Sequence, residues 1–132
     1  MKNLLFVLVV LGVVACGGVP ATRIDASKAQ FAGKPTDQEA IRKIKGYFDD
    51  VLADPESLRM RCSPIRKGWG RQTMNDKPTF GWVTYCNVDA KNKLGEYAGV
   101  KTYLFIINGE NFTAIDNPYA ASGSDTHSGV LD

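Results

Sequence analysis

Of the three cysteines in this chain of 132 residues, the first decides what the other two can become, and with them how the fold is pinned. Cys16 closes an apolar leader. Lys2 precedes the run from Leu4 to Val14, the small residue Ala15 follows, and Gly17-Gly18 break the pattern. A helix that crosses a bilayer needs about 20 apolar residues. This run is shorter, and its basic, apolar, small-residue order is that of a secretory signal peptide, a segment removed from the mature chain. The rest is therefore expected to fold in an oxidising compartment, where two otherwise unpaired thiols are bridged rather than free. Cys62 and Cys86 would close a loop of about 25 residues, worth on the order of 3 kcal/mol in the chain-entropy account. For a small core that is a large share of total stability.

The end of the leader, Val13-Val14-Ala15-Cys16, resembles the lipobox of bacterial lipoproteins. The resemblance implies cleavage before Cys16, a diacylglycerol thioether on its sulfur and a further acyl chain on its new amino group. Two or more acyl chains anchor a protein stably, where one binds only marginally. Gly17 stands where lipoproteins retained in the inner membrane carry aspartate, which implies an outer-membrane protein facing the periplasm. The competing reading makes Cys16 an ordinary thiol in an uncleaved helix.

Removal of residues 1–15 leaves 117, enough for one domain, with fifteen Lys and Arg against fourteen Asp and Glu. A charge this close to neutral argues against a nucleic-acid binder and against a disordered polyelectrolyte. A metal site needs more ligands than two cysteines, and the single histidine, His127, lies in a polar tail. No metal or cofactor is expected.

In chain order, 16–35 is rich in Gly, Ala, Pro and Ser without a sustained period and reads as a flexible tether from the lipid, about 20 to 25 Å long. Thr36 and Glu39 form a capping box that opens a helix, with Asp37 in its first turn. Ala40, Ile41, Ile44, Tyr47, Phe48, Val51 and Leu52 fall on one side of that helix, and Asp54-Pro55 ends it. Asp49, Asp50, Asp54 and Glu56 cluster near the stop, as a solvated helix end or a cation site. Leu58, Met60 and Cys62 alternate as a first strand, Arg66 to Thr79 reads as a loop, and Phe80 to Val88 as a second strand. If Cys62 faces Cys86, then Met60 faces Val88 across a non-hydrogen-bonded pair. Val100 to Ile107 reads as a central strand, and Asn108-Gly109 as a two-residue hairpin turn placing Phe105 opposite Phe112 and Lys101 opposite Asp116. The tail, 117–132, is expected to be disordered.

Two stretches could carry recognition. In Arg66-Lys67-Gly68-Trp69-Gly70-Arg71 three cations surround an aromatic residue that its glycine neighbours would expose, a combination suited to an anionic surface or a protein partner. The alternative is a solvated loop with Trp69 folded back over the sheet edge. The second stretch is Asn87-Val88-Asp89-Ala90-Lys91-Asn92-Lys93-Leu94-Gly95-Glu96-Tyr97-Ala98-Gly99. It resembles an Asn-x-Ala-Lys-Asn-x-x-Gly-x-Tyr-x-Gly signature of small bacterial envelope lipoproteins and exported proteins of unassigned function. Leu52-x-Asp54-Pro55-x-Ser57 is similar to the segment upstream in those proteins, so the resemblance spans about residues 50 to 107. It implies no activity. Two readings of the motif remain, a rigid connection between strands and a recognition site using Lys91, Lys93 and Tyr97.

The sequence lacks a Gly-x-Ser-x-Gly elbow, a His-Glu-x-x-His pair and a phosphate-binding glycine loop. The expectation is an α+β domain over 36–116, with one amphipathic helix on an antiparallel sheet of three or four strands. The function expected is a non-enzymatic binding or assembly module anchored in the envelope by lipid, with a periplasmic enzyme inhibitor or a small periplasmic hydrolase as alternatives.

Overall fold

The computed structural model describes residues 24–73, 75–118 and 127–131. The leader, Cys16 and its lipidation lie outside the described residues, as does the middle of the tail. The class is α+β, as expected. Among the described residues one helix, α1 (Asp37–Val51), packs on one antiparallel sheet, and a single 3-10 turn (Pro55–Ser57) follows the helix. The sheet has six strands rather than three or four: β1 (Arg59–Cys62), β2 (Arg66–Gly70), β3 (Thr79–Asp89), β4 (Lys101–Asn108), β5 (Asn111–Asp116) and β6 (Ser128–Val130). Their order is β5-β4-β3-β2-β6, with β1 also on β3.

The helix starts where its caps dictate. The Thr36 hydroxyl accepts from the Glu39 amide at 3.1 Å, and the Glu39 carboxylate accepts from the Thr36 amide at 3.1 Å, so two of the four orphan amides of the first turn are satisfied. The buried stripe is narrower than the periodicity suggests. Ala40, Ile44 and Phe48 are buried, while Ile41 is 40% and Val51 53% exposed. Phe48 and Ile44 sit over Cys86, Val88 and Phe105, and an aromatic group of Tyr47, Tyr103 and Phe112 surrounds them.

The disulfide between Cys62 and Cys86 is formed, and it stands in the register expected of it, with Met60 opposite Val88. Past Cys62 the pairing changes step. Cys62 faces Cys86 and Arg66 faces Val83, so three residues, Ser63-Pro64-Ile65, stand against two, Thr84 and Tyr85. That is a β-bulge, and its centre is a proline that cannot donate to the ladder. The Ser63 hydroxyl repairs the gap by accepting from the Tyr85 amide at 2.9 Å. β1 and β2 are thus one broken strand along one side of β3, and the expected loop from Arg66 begins instead as β2.

The far face of the sheet has its own core of Val83, Leu104, Ile106 and Ile115. The sheet coils to cover it. A β-carbon at Gly70 would lie 2.7 Å from Leu104 Cδ2 and 2.8 Å from Ile115 Cδ1, so only glycine lets β2 come down this closely. Gln72 completes the closure by donating to the Ala114 carbonyl at 3.0 Å.

Three expectations are corrected at the periphery. The β4–β5 hairpin turns at Gly109-Glu110, not at Asn108-Gly109, so Phe105 faces Ala114 and Tyr103 faces Asp116. Gly109 takes the positive φ of 62° as first central residue. The shift is two residues, which keeps every side chain on its face. Asn108 stays in the strand because its side chain is engaged: its oxygen accepts from the Ala32 amide at 2.8 Å, and its nitrogen donates to the Gln30 and Phe80 carbonyls at 2.8 and 3.2 Å. The same bonds show that the expected flexible tether is docked over its later part, where Phe31 meets Trp82 edge-on. Finally, the expected disordered tail ends in β6, which covers the outer edge of β2.

Candidate functional site

The first recognition stretch is largely internal. Trp69 and Arg71, expected in an exposed loop, are each only 7% exposed. Trp69 lies within β2, opposite Phe80 on one side and Gly129 on the other, and its indole lies so close to Gly129 that a β-carbon there would sit 2.6 Å from Nε1. The Arg71 guanidinium stands over the Trp69 ring at 5.6 Å. Arg66 and Lys67 remain exposed. Lys67 Nζ lies 5.1 Å from the Phe31 ring and 5.6 Å from that of Trp82, whose indole donates to the Ala32 carbonyl at 2.8 Å. Lys67 therefore clasps the docked N-terminal segment, while Arg66, opposite Val83, belongs to the other face of the sheet.

The second stretch forms a hydrogen-bonded turn, with Lys91 and Tyr97 bridged. The Asn92 side chain accepts from the Leu94 amide at 2.9 Å and the Glu96 amide at 3.2 Å, and Gly95 supplies a φ of 79°. Asp89 accepts from the Gly99 amide at 3.2 Å. The upstream segment meets this turn through Ser57. Its hydroxyl accepts from the Lys91 amide at 2.8 Å and donates to the Asp54 carbonyl at 2.6 Å, while Tyr97 donates to the Ser57 carbonyl at 3.1 Å. Tyr97 is covered by Arg59 at 3.7 Å and approached by Lys91 at 5.7 Å. Lys91 and Tyr97 thus belong to the frame of the turn, and Lys93 is exposed at its tip beside Leu94, which is 83% exposed. Lys67 pairs with Trp82 and the turn begins beyond Asp89, seven residues along β3, about 24 Å at the rise of a strand. The two stretches do not form one site.

What the fold does assemble is a groove between α1 and β1. Two depressions of ≈ 510 and ≈ 540 Å³ adjoin there, and both have Ile41 and Met60 in their walls. Ile44, Cys62 and Ile65 extend the apolar floor at one end and Leu58 at the other. Lys34, Asp37, Lys45, Asp49 and Glu56 mark the rim. The groove exists because the helix turns only Ala40, Ile44 and Phe48 fully inward, leaving Ile41 half over the edge.

The strand beside it is unpaired on that side. Ser63 donates its amide to the Tyr85 carbonyl at 2.8 Å, so the odd-numbered residues of β1 bond to β3. By the alternation of an antiparallel ladder, the N–H and C=O groups of Met60 and Cys62 point outward. No described strand takes them up, because β6 pairs only with Gly68 to Gly70 of β2. Arg59 and Arg61 project from the opposite face of β1 and are exposed.

Shifted titrations lie outside the groove. Tyr103 is held above its ordinary 10.0, chiefly by burial, with Asp116 across the ladder adding to the effect. Asp25 is held below its ordinary 3.8 by hydrogen bonds from Ser27. No group of three His, Cys, Asp or Glu among the described residues is placed to hold a metal ion, and no described helix is long and apolar enough to cross a membrane. No protein-family model, curated protein or solved structure matches the chain.

Periodicity alone does not mark the groove: the spacing places Ile41 with the core, whereas Ile41 is 40% exposed in the groove wall, and no periodic pattern marks the outer edge of β1. A signal was present in Pro64, two residues past the end of β1, which restricts that point to a sheet edge or a bulge.

Proposed function

We propose that the chain is a lipid-anchored envelope protein, facing the periplasm from the outer membrane, that acts as a non-enzymatic binding or assembly module. The observation that carries the binding half is the groove beside α1: an apolar floor, a mixed-charge rim and an unpaired strand edge along one wall. Open edges are ordinarily covered or blunted, and one left beside an apolar groove is a surface for pairing. The lipid half is supported by the leader ending in Ala15-Cys16, and export by the bridged cysteines. The likeness of the turn at Asn87 to Gly99 to small envelope lipoproteins agrees with both and names no activity.

Two experiments in intact cells test the reading. Radioactive palmitate labels the wild-type chain and fails to label Cys16→Ala. A photo-crosslinking residue in place of Ile41 captures a discrete protein partner, while the same residue in place of Glu110, on the far hairpin, does not. Palmitate labelling that survives Cys16→Ala refutes the anchor, and equal capture from both positions refutes the groove as the binding surface.

A further inference from the structure

We infer that the groove takes an extended peptide segment that adds to the free edge of β1, with apolar residues at alternate positions and acidic residues between them. The inference rests on the binding-module reading and assigns its partner's chemistry.

The backbone sets the mode of binding. Met60 and Cys62 each offer an outward N–H and C=O, so an incoming strand gains up to four main-chain hydrogen bonds over β1 alone. Pro64 ends this template on one side, and the 3-10 turn at Pro55–Ser57 ends it on the other. The docked segment is therefore short, about four to six residues.

The side chains set its pattern. Residues of the incoming strand opposite Met60 and Cys62 share their face and point into the groove, toward Ile41 and Ile65, where apolar side chains are favoured. Residues opposite Arg59 and Arg61 fall on the other face. Arg59 is already stacked on Tyr97, whereas the exposed Arg61 guanidinium has no hydrogen bond among the described residues. An acidic residue there meets a positive charge, and a basic one meets repulsion.

The same arginines decide against a second copy of this chain. Antiparallel pairing of β1 with itself brings Arg59 and Arg61 of one copy against those of the other, and like charges across a ladder are unfavourable. The edge is open to a partner of opposite charge and guarded against itself.

The test uses the purified mature protein and fluorescein-labelled heptapeptides with blocked ends. One alternates glutamate with valine, a second lysine with valine, and a third repeats the first with its valine amides N-methylated. The glutamate peptide is expected to bind at least tenfold more tightly than either of the others, and its affinity should fall with added salt. Arg61→Glu, whose side chain packs against nothing in the core, should weaken the glutamate peptide about fivefold and strengthen the lysine peptide. Arg61→Ala should fall between, which keeps the test decisive if the charge reversal disturbs β1. Equal binding of the first two peptides overturns the charge assignment, and equal binding of the first and third overturns strand addition. A stable dimer linked through β1 also overturns the proposal. Partner capture at Ile41 with no peptide preference refutes this inference and leaves the binding module standing. Absence of both refutes the two together.

Discussion

Removing the disulfide is the sharpest perturbation of the fold, because β1 has so little else to hold it. The bridge joins residues 24 apart. In the chain-entropy account a closed loop of this size restricts the unfolded chain by about 12 cal/mol/K, or about 3.5 kcal/mol at 25 °C. Cys86 is fully buried beneath Phe48, so Cys62→Ala with Cys86→Ala also loses packing around one sulfur, roughly another 1 kcal/mol. Against a total of 5–15 kcal/mol for a domain of this size, a loss of about 4.5 kcal/mol is severe but need not abolish folding. Urea titration of the double variant beside the wild type, oxidised and reduced, measures it. With a slope of about 1 kcal/mol/M the midpoint should fall by about 4 M or more. The reduced wild type isolates the bridge from the packing. Hydrogen exchange gives the local signature: the amides of Arg61 and Ser63, bonded across to β3, should exchange by fraying, faster than that of Leu104 in the sheet centre. A loss below about 1 kcal/mol, or Arg61 and Ser63 amides as slow as Leu104 in the variant, would refute the view that the bridge pins β1.

Three further outcomes follow from named contacts. Gly68→Ala places a β-carbon 2.6 Å from the Gly129 carbonyl, which is backbone, whereas the close neighbours at Gly70 are side-chain ends. Gly68→Ala should therefore cost more, about 2–3 kcal/mol against about 1–2 for Gly70→Ala, and only the former should expose the β6 amides to exchange. Asn108→Ala removes three hydrogen bonds, two of which hold Gln30 and Ala32 to the sheet, so the Ala32 amide should lose protection and stability fall by about 1–2 kcal/mol, while Asn111→Ala leaves both unchanged. Tyr103 keeps its proton longer in the folded chain than in the unfolded one, so the folded state binds more protons above about pH 10. Stability from this group is fully present below that pH and is lost as pH rises beyond it; Tyr103→Phe should flatten the alkaline fall in thermal midpoint.

Local chemistry was the legible part of the fold. Thr36 and Glu39 fix the helix start through bonds within four residues, and the Cys62–Cys86 pairing carries its own register into β1 and β3. The hairpin turn was misplaced because Asn108-Gly109 has strong local turn preference, yet Asn108 is held in the strand by Gln30, Ala32 and Phe80, far away in sequence. β6 and the docked Phe31 segment were missed for a related reason. Neither has a periodic apolar pattern of its own; each is ordered by a surface made elsewhere, Trp69 for one and Trp82 for the other.

The groove was harder to read because an edge is a property of what fails to pair. One trace of it is nevertheless written in the sequence. The side chains that share the Trp82 face of the sheet are even-numbered through Met60 and Cys62 and odd-numbered from Lys67 to Trp69. That change of parity across Ser63-Pro64 requires an extra residue, and an extra residue in a strand bends it. The bend separates β1 from the line of β2, so β6 covers one and leaves the other open. A single proline bulge thus produces both the short length of β1 and its free edge, and the α1 stripe, too narrow to draw Ile41 inward, supplies the apolar wall beside it.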